Sequence, residues 1–164
     1  MNRTDGWAIL TEQGPAAHAL LLRLTLRADV ADDLLHDLFI RLHRRVGRAD
    51  HPAGYVHRTA VNLAMDWRAR RRPNVDVSAT DPPATELGPL ALSGNADEVA
   101  RILDLAATTL TELERQAFAL RFVQQMSFEQ VGDLIGRTPH QARGLCHAAV
   151  RRIRTELGVT GGKP

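Results

Sequence analysis

At 164 residues, 44% of them hydrophobic but only 4% aromatic, the chain must build its core from Leu, Val, Ala and Ile, which favours helices over β-sandwiches. A single cysteine excludes an intrachain disulfide, and the absence of any run of about 18 apolar residues excludes a membrane-spanning helix, so a soluble cytoplasmic protein without membrane insertion is expected. The net charge of +2 and pI of about 9.3 conceal clustering. Residues 68–72 carry four arginines and 151–154 three, whereas 73–96 carry no Lys or Arg, and local clusters rather than totals attract phosphate.

Trp7, Ile9 and Leu10 predict a short leading helix. Pro15 starts the next, whose apolar face of Ala19, Leu20, Leu22, Leu24 and Leu26 ends near Arg27. Asp29 then caps a strongly periodic helix with Leu34, Leu35, Leu38, Phe39 and Leu42 inward. Asp32, Asp33, His36, Asp37, Arg41, Arg44 and Arg45 face out, acidic first and basic last as the helix dipole prefers. Any solvated helix shares that pattern. Residues 47–54 form a loop, and Pro52 launches a third helix with a buried stripe of Val56, Thr59, Ala60, Leu63, Ala64 and Trp67. Its outer side carries His57, Arg58, Asn62 and Asp66 and runs out in Arg68, Arg70, Arg71 and Arg72 before Pro73. Those arginines either complement the dipole or, beside the Asn-bearing polar face, form a nucleic-acid surface.

Residues 73–96 hold four prolines, two glycines, a net negative charge and no periodicity, which predicts a flexible linker. Asn95 and Glu98 then offer a capping box for a helix to about Thr109, with Val99, Ile102, Leu103 and Ala106 inward. Thr111 and Glu114 cap another, carrying Leu113, Ala117, Phe118, Leu120 and Arg121 toward a turn at 124–126. Ser127 with Gln130 caps a short helix bearing Phe128, Val131, Leu134 and Ile135, which Gly136 ends. Thr138, Pro139 and Gln141 start the last helix at once. Its apolar stripe is Ala142, Leu145, Cys146, Ala149, Val150 and Ile153; its other face carries His140, Gln141, Arg143, Gly144, His147, Arg151, Arg152 and Arg154. Two helices on a Gly turn, the second with an Arg-rich outer face, read as a helix-turn-helix, whose second helix enters the major groove. The alternative is an ordinary helical hairpin with a solvated basic face.

Three blocks carry a family resemblance: ADDLLHDLFIRLH (31–43), YVHRTAVNLAMDWRARRR (55–72) and LTELERQAFALRFVQQMSFEQVGDLIG (110–136). They resemble the blocks of bacterial sigma factors of the sigma-70 family, extracytoplasmic-function group, which keeps only the second and fourth sigma regions. The resemblance implies an all-α chain of two small domains: region 2 over 1–72, a linker over 73–96, region 4 over 97–158 and a disordered tail over 159–164. It implies that Asp33, Leu34, His36, Asp37, Phe39 and Arg41 face the clamp helices of core RNA polymerase. The family usually has Gln and Glu where this chain has His36 and Asp37. It further implies that Arg58, Asn62, Asp66, Arg70 and Arg71 bind the non-template strand of the minus-ten element, although Asn62 has the alternative of bracing the domain. Single-strand capture fits a loop pocket around 47–54 better than an aromatic platform, because Trp67 lies on the buried stripe.

The last helix departs from the family. Arg143-Gly144-Leu145 stands where Lys-Ser-Arg is common, and Pro139-His140 where Glu-Gly is frequent. An altered or weakened reading of the minus-thirty-five element follows, with His140, Gln141, Arg143, Gly144, His147, Arg151 and Arg152 at the DNA. Gln141, Arg143 and His147 are the best candidates for base contacts.

No cofactor, metal or catalytic chemistry is expected. The seven histidines are scattered, Cys146-His147 lacks a second ligand pair, and the three serines lie in the linker or at a helix cap, so the chain is not expected to be an enzyme. Two functions remain: a sigma subunit that binds core polymerase and promoter DNA, with an anti-sigma factor as a family-level partner, or a stand-alone DNA-binding regulator. The 31–72 block separates them, because a plain regulator has no use for it.

Overall fold

The structure, a computed structural model, describes residues 3–45, 51–71 and 95–158. Of the expected loop over 47–54, residues 47–50 lie outside those residues, and residues 52–54 are already the first turn of a helix; of the expected linker over 73–96, residues 73–94 lie outside, while Asn95 and Ala96 cap and start a helix; Arg72 and the tail from residue 159 also lie outside them. Within them the chain is helical without strands: α1 (Arg3–Thr25), α2 (Ala28–Arg45), α3 (Pro52–Arg70), α4 (Ala96–Thr109), α5 (Glu112–Phe118) running into a π-helical turn (Ala119–Val123), α6 (Phe128–Ile135) and α7 (Pro139–Glu156).

The expected break at Pro15 is absent, and α1 runs through it. A mid-helix proline forfeits one backbone bond and costs about 3 kcal/mol. Burying Leu10, Ala17, Leu20, Leu21 and Leu24 along one continuous face offsets this, since each fully buried leucine is worth about 1.5–3 kcal/mol. Trp7, expected to pack, is instead 72% exposed. Leu26 ends α1 in a left-handed conformation with φ +59°, its N–H still bonded to the Leu22 carbonyl at 2.9 Å. Asp29 does not cap α2 but sits in its first turn, paired with Arg27 at 2.8 Å. The hydrogen bond from Arg27 holds the Asp29 carboxyl below its ordinary range.

Helix α3 is buried on more sides than its single predicted stripe allowed. Besides Val56, Ala60, Leu63 and Ala64, the buried set includes His57, Val61, Met65 and Arg68. The reason is position: α1 and α2 pack on one flank of α3, while α4, α5 and α6 pack on the other. The two halves of the chain therefore share a contact surface, and α3 is its N-terminal wall.

From residue 95 onward the helix ends follow local chemistry. Asn95 accepts the Glu98 N–H at 2.8 Å. Thr111 with Glu114, Ser127 with Gln130, and Thr138 with Gln141 each close a reciprocal capping box. Gly136 ends α6 at φ +70°. Gly132, which the sequence reading passed over, sets how tightly the turn folds back. A Cβ there would lie 2.5 Å from the Arg137 carbonyl oxygen and 3.1 Å from the Thr138 carbonyl carbon. Both are backbone atoms of a capped turn, so neither yields cheaply. Gly132→Ala gains about 1 kcal/mol of helix propensity yet is expected to cost a net 1–3 kcal/mol, roughly, through overpacking. A lower melting temperature reads the loss; an unchanged one would show that the turn relaxes freely.

Candidate polymerase and nucleic-acid interfaces

On α2, Asp33, His36, Asp37 and Arg41 are exposed, as a docking face requires. Phe39 is half-buried, with its ring edge near Gly14. Leu34 is only 9% exposed and belongs to the core, so it supports this face from beneath. Ile40, 41% exposed, lies among these polar side chains, seven residues on from Asp33 and four from His36. The sequence reading missed it. Its signal was an apolar residue off the helical stripe.

On α3 the minus-ten candidates divide. Arg70 and Arg71 are exposed, and the Arg71 guanidinium lies 4.6 Å from the Trp67 ring centroid. Arg58 is half-buried and donates to the Gly54 carbonyl at 3.2 Å. Asn62 donates to the Glu112 carboxylate at 2.9 Å and accepts from the Gln116 amide at 3.2 Å. Asp66 lies 3.9 Å from Arg115. Asn62 and Asp66 thus face α5 of the other half. Arg68 leaves the candidate surface altogether: it is 2% exposed and donates to the Leu24 and Thr25 carbonyls of α1 and to Asp104 of α4. Burial lowers its pKa, and the Asp104 carboxylate opposes that. His57, expected outside, is buried with its Nδ1 2.8 Å from the Ala53 carbonyl. Between the halves an open cleft of about 380 Å³ is lined by Tyr55, Arg58, Thr59, Asn62, Glu112, Leu113, Gln116, Ile135 and Arg137.

On α7 the outer face is as expected: His140, Gln141, Arg143, Gly144, His147 and Arg151 are exposed. Arg152 is held differently, 3.1 Å from the buried Glu114 carboxylate, and ties α7 to α5. Gln141 accepts the Thr138 N–H through Oε1 at 3.0 Å, so its amide nitrogen is the group directed elsewhere. Gly144 has no atom within 4 Å of where a Cβ would stand, so packing does not require glycine there. Cys146 is buried and donates to the Ala117 carbonyl at 3.5 Å; burial pushes its thiol up to about 11, against the pull of Arg121. It is a core residue, not a nucleophile.

Leu145 is half-buried against the core rather than fully inside it. Leu145→Arg is expected to destabilise the C-terminal half by about 1–3 kcal/mol, because the long side chain saves part of the packing by turning its head to water. Thermal melting with a DNA titration checks this. A stable variant that binds DNA more tightly would place position 145 at the DNA instead.

Among the described residues no group of three or more His, Cys, Asp or Glu side chains is placed to hold a metal ion, and no helix is long and apolar enough to cross a membrane. Residues 9–73 match the family described as sigma-70 region 2. The chain is also 27% identical over 153 residues to RNA polymerase sigma factor CarQ of Myxococcus xanthus, covering 92% of this chain and 87% of that protein. The region 2 match takes in α2 and α3, and the likeness to a sigma factor, at 92% of this chain, extends into the C-terminal half. Residues 9–73 thus match a sigma-70 region 2, and over most of its length the chain is similar to an RNA polymerase sigma factor, in line with the resemblance to the extracytoplasmic-function group.

Proposed function

We infer that this chain is a sigma subunit that binds core RNA polymerase and directs it to promoters. The observation that carries this is the joining, in one chain, of a region 2 with an exposed polar face on α2 and a capped helix-turn-helix with an Arg-bearing outer face. In the reading we propose, the α2 face of Asp33, His36, Asp37 and Arg41, with Ile40 among them, docks on polymerase. Arg58, Asn62, Asp66, Arg70 and Arg71 of α3 take the minus-ten strand. His140, Gln141, Arg143 and His147 of α7 approach base edges while Arg151 grips phosphate. The chain does this by binding alone, in the cytoplasm with its polymerase, and an anti-sigma protein that restrains it is a partner the proposal includes.

Co-purification with core polymerase is the direct test. A sigma subunit co-elutes with core and makes it retain promoter duplexes drawn from a randomised DNA pool. A chain that binds duplex DNA but never co-elutes with core would be the stand-alone regulator instead.

A further inference from the structure

The backbone between α5 and α6 departs from regular geometry. A π turn occupies Ala119–Val123, and Gln125 follows at φ +57°, a left-handed conformation uncommon for a residue with a Cβ. The Gln124 N–H bonds the Ala119 carbonyl at 3.0 Å, and the Met126 N–H bonds the Leu120 carbonyl at 3.1 Å. Arg121 sits inside this turn, half-buried, and donates to the Met126 carbonyl at 2.8 Å. Its guanidinium lies 4.4 Å from the ring centroid of Phe128, the half-buried first residue of α6. The Arg143 guanidinium of α7 lies 5.9 Å from the same centroid. That is within the reach of about 6 Å for a cation over an aromatic face. Arg143 is exposed and, among the described residues, has no hydrogen bond or ion pair. Arg151 and Arg154, also on the outer face of α7, meet no aromatic ring among those residues. Of these three arginines, only Arg143 has a ring behind it.

We propose that Phe128 is a positioning residue for Arg143: its ring is a platform that aims this guanidinium at one base pair before DNA arrives. The proposal rests on the reading above that puts Arg143 at a base edge. A long arginine side chain on an exposed helix face loses rotamer freedom when DNA fixes it, and that loss is subtracted from binding. A ring that already holds the guanidinium reduces the loss. The contact also leaves the reading groups free. A guanidinium meets a ring through its flat face, while the N–H groups that pair with guanine O6 and N7 lie in its plane. Arg121 supplies the fixed end. Tied to the Met126 carbonyl, it holds the same ring from within the fold, and the π turn with left-handed Gln125 is the backbone path that brings it there. Such local departures persist where the surrounding contacts hold them. Gly144, the next residue, keeps the platform uncrowded: no atom lies within 4 Å of where its Cβ would stand.

Base preference, rather than affinity, reads this role. Wild type, Phe128→Tyr, Phe128→Leu, Arg143→Ala and the double variant Phe128→Leu with Arg143→Ala each select duplexes from a randomised DNA pool, with and without core polymerase. Arg143→Ala identifies the base pair whose preference that arginine sets. At this pair Phe128→Leu is expected to lower the preference about two- to fivefold, the size of an exposed cation–π contact. Phe128→Tyr keeps the ring and is expected to keep the preference. Once Arg143 is replaced by alanine, Phe128→Leu should change nothing further at that pair. A preference is a ratio between duplexes bound by the same folded molecules, so lost stability does not imitate it. Phe128→Met, flexible and without a ring, takes the place of the leucine variant if that one does not fold. Unchanged preference without the ring, an equal loss in Phe128→Tyr, or a loss that persists without Arg143 overturns the platform and leaves the base reading standing. An Arg143→Ala chain with wild-type preference at every pair overturns the base reading itself, and the platform with it. So does a wild-type chain that selects no duplex in either condition.

Discussion

Reversing both carboxylates on the outer face of α2, Asp33→Arg with Asp37→Arg, is expected to abolish co-elution with core polymerase while the helix stays folded. Both residues are exposed and off the apolar stripe of Leu34, Leu38 and Leu42, so the core is untouched. The intramolecular cost is small. Placing a cation near the start of α2 opposes the helix dipole by about 0.3–1 kcal/mol, and an arginine at position 37 would repel Arg41 by a few tenths, roughly. At an interface the same change is severe, because each reversed charge both loses its partner and is repelled by it. Losing one hydrogen-bonded charge costs about 2–5 kcal/mol, so two reversals remove about 4 kcal/mol or more, roughly a thousandfold in affinity. Circular dichroism should show an unchanged helix content beside the lost co-elution. A double variant that still co-elutes at wild-type level would move the polymerase surface off α2.

The parts of this molecule that the sequence made legible are those decided within a few residues. Ser127 with Gln130, Gly136, and Thr138 with Pro139 and Gln141 fix the helix-turn-helix through i to i+3 hydrogen bonds and one positive φ, and each stands where it was expected. The outer face of α7 was legible for the same reason, because one partner, the core, sets its period. What failed were features decided by more distant neighbours. Pro15 reads as a helix start until the continuous face of α1 outweighs it. The stripe on α3 assumed one packed side, and the helix has two, so His57 and Arg68 turned from solvent residues into buried ones. Asn62 had two readings in the sequence, DNA contact or brace, and here it is held by α5. Which residue of the other half meets Asn62 is set by packing between α3 and α5, and nothing local in the sequence encodes that. Arg152 looked like a phosphate ligand only because its partner, Glu114, lies far back in the chain.

Arg68 carries the largest expected effect on stability, and it tests the most consequential of those reversals. Its Nε donates to the Leu24 carbonyl at 2.5 Å and its terminal nitrogens reach Thr25 at 3.4 Å, Ala100 at 3.4 Å and Asp104 at 2.6 Å. Leu24 and Thr25 lie in the last turn of α1, where carbonyls have no intrahelical donor, and Leu26 has already turned the backbone away. A guanidinium from α3 therefore caps α1, with its charge placed where the helix dipole favours a cation. Arg68→Ala leaves buried acceptors unsatisfied at about 1–3 kcal/mol each and opens a void, for an expected loss of roughly 3–5 kcal/mol. That amounts to a melting-temperature drop of about 10 °C or more for a chain of this size. Arg68→Lys restores the charge but not the planar fork that spans two helices, so it is expected to recover only part of the loss. Arg70→Ala and Arg71→Ala, on the exposed side of the same cluster, should leave the melt within about 0.5 kcal/mol of wild type. If Arg68→Ala instead melts like wild type and weakens DNA binding as those two do, Arg68 belongs with the phosphate-gripping arginines and its burial here is not what holds α1 to α3.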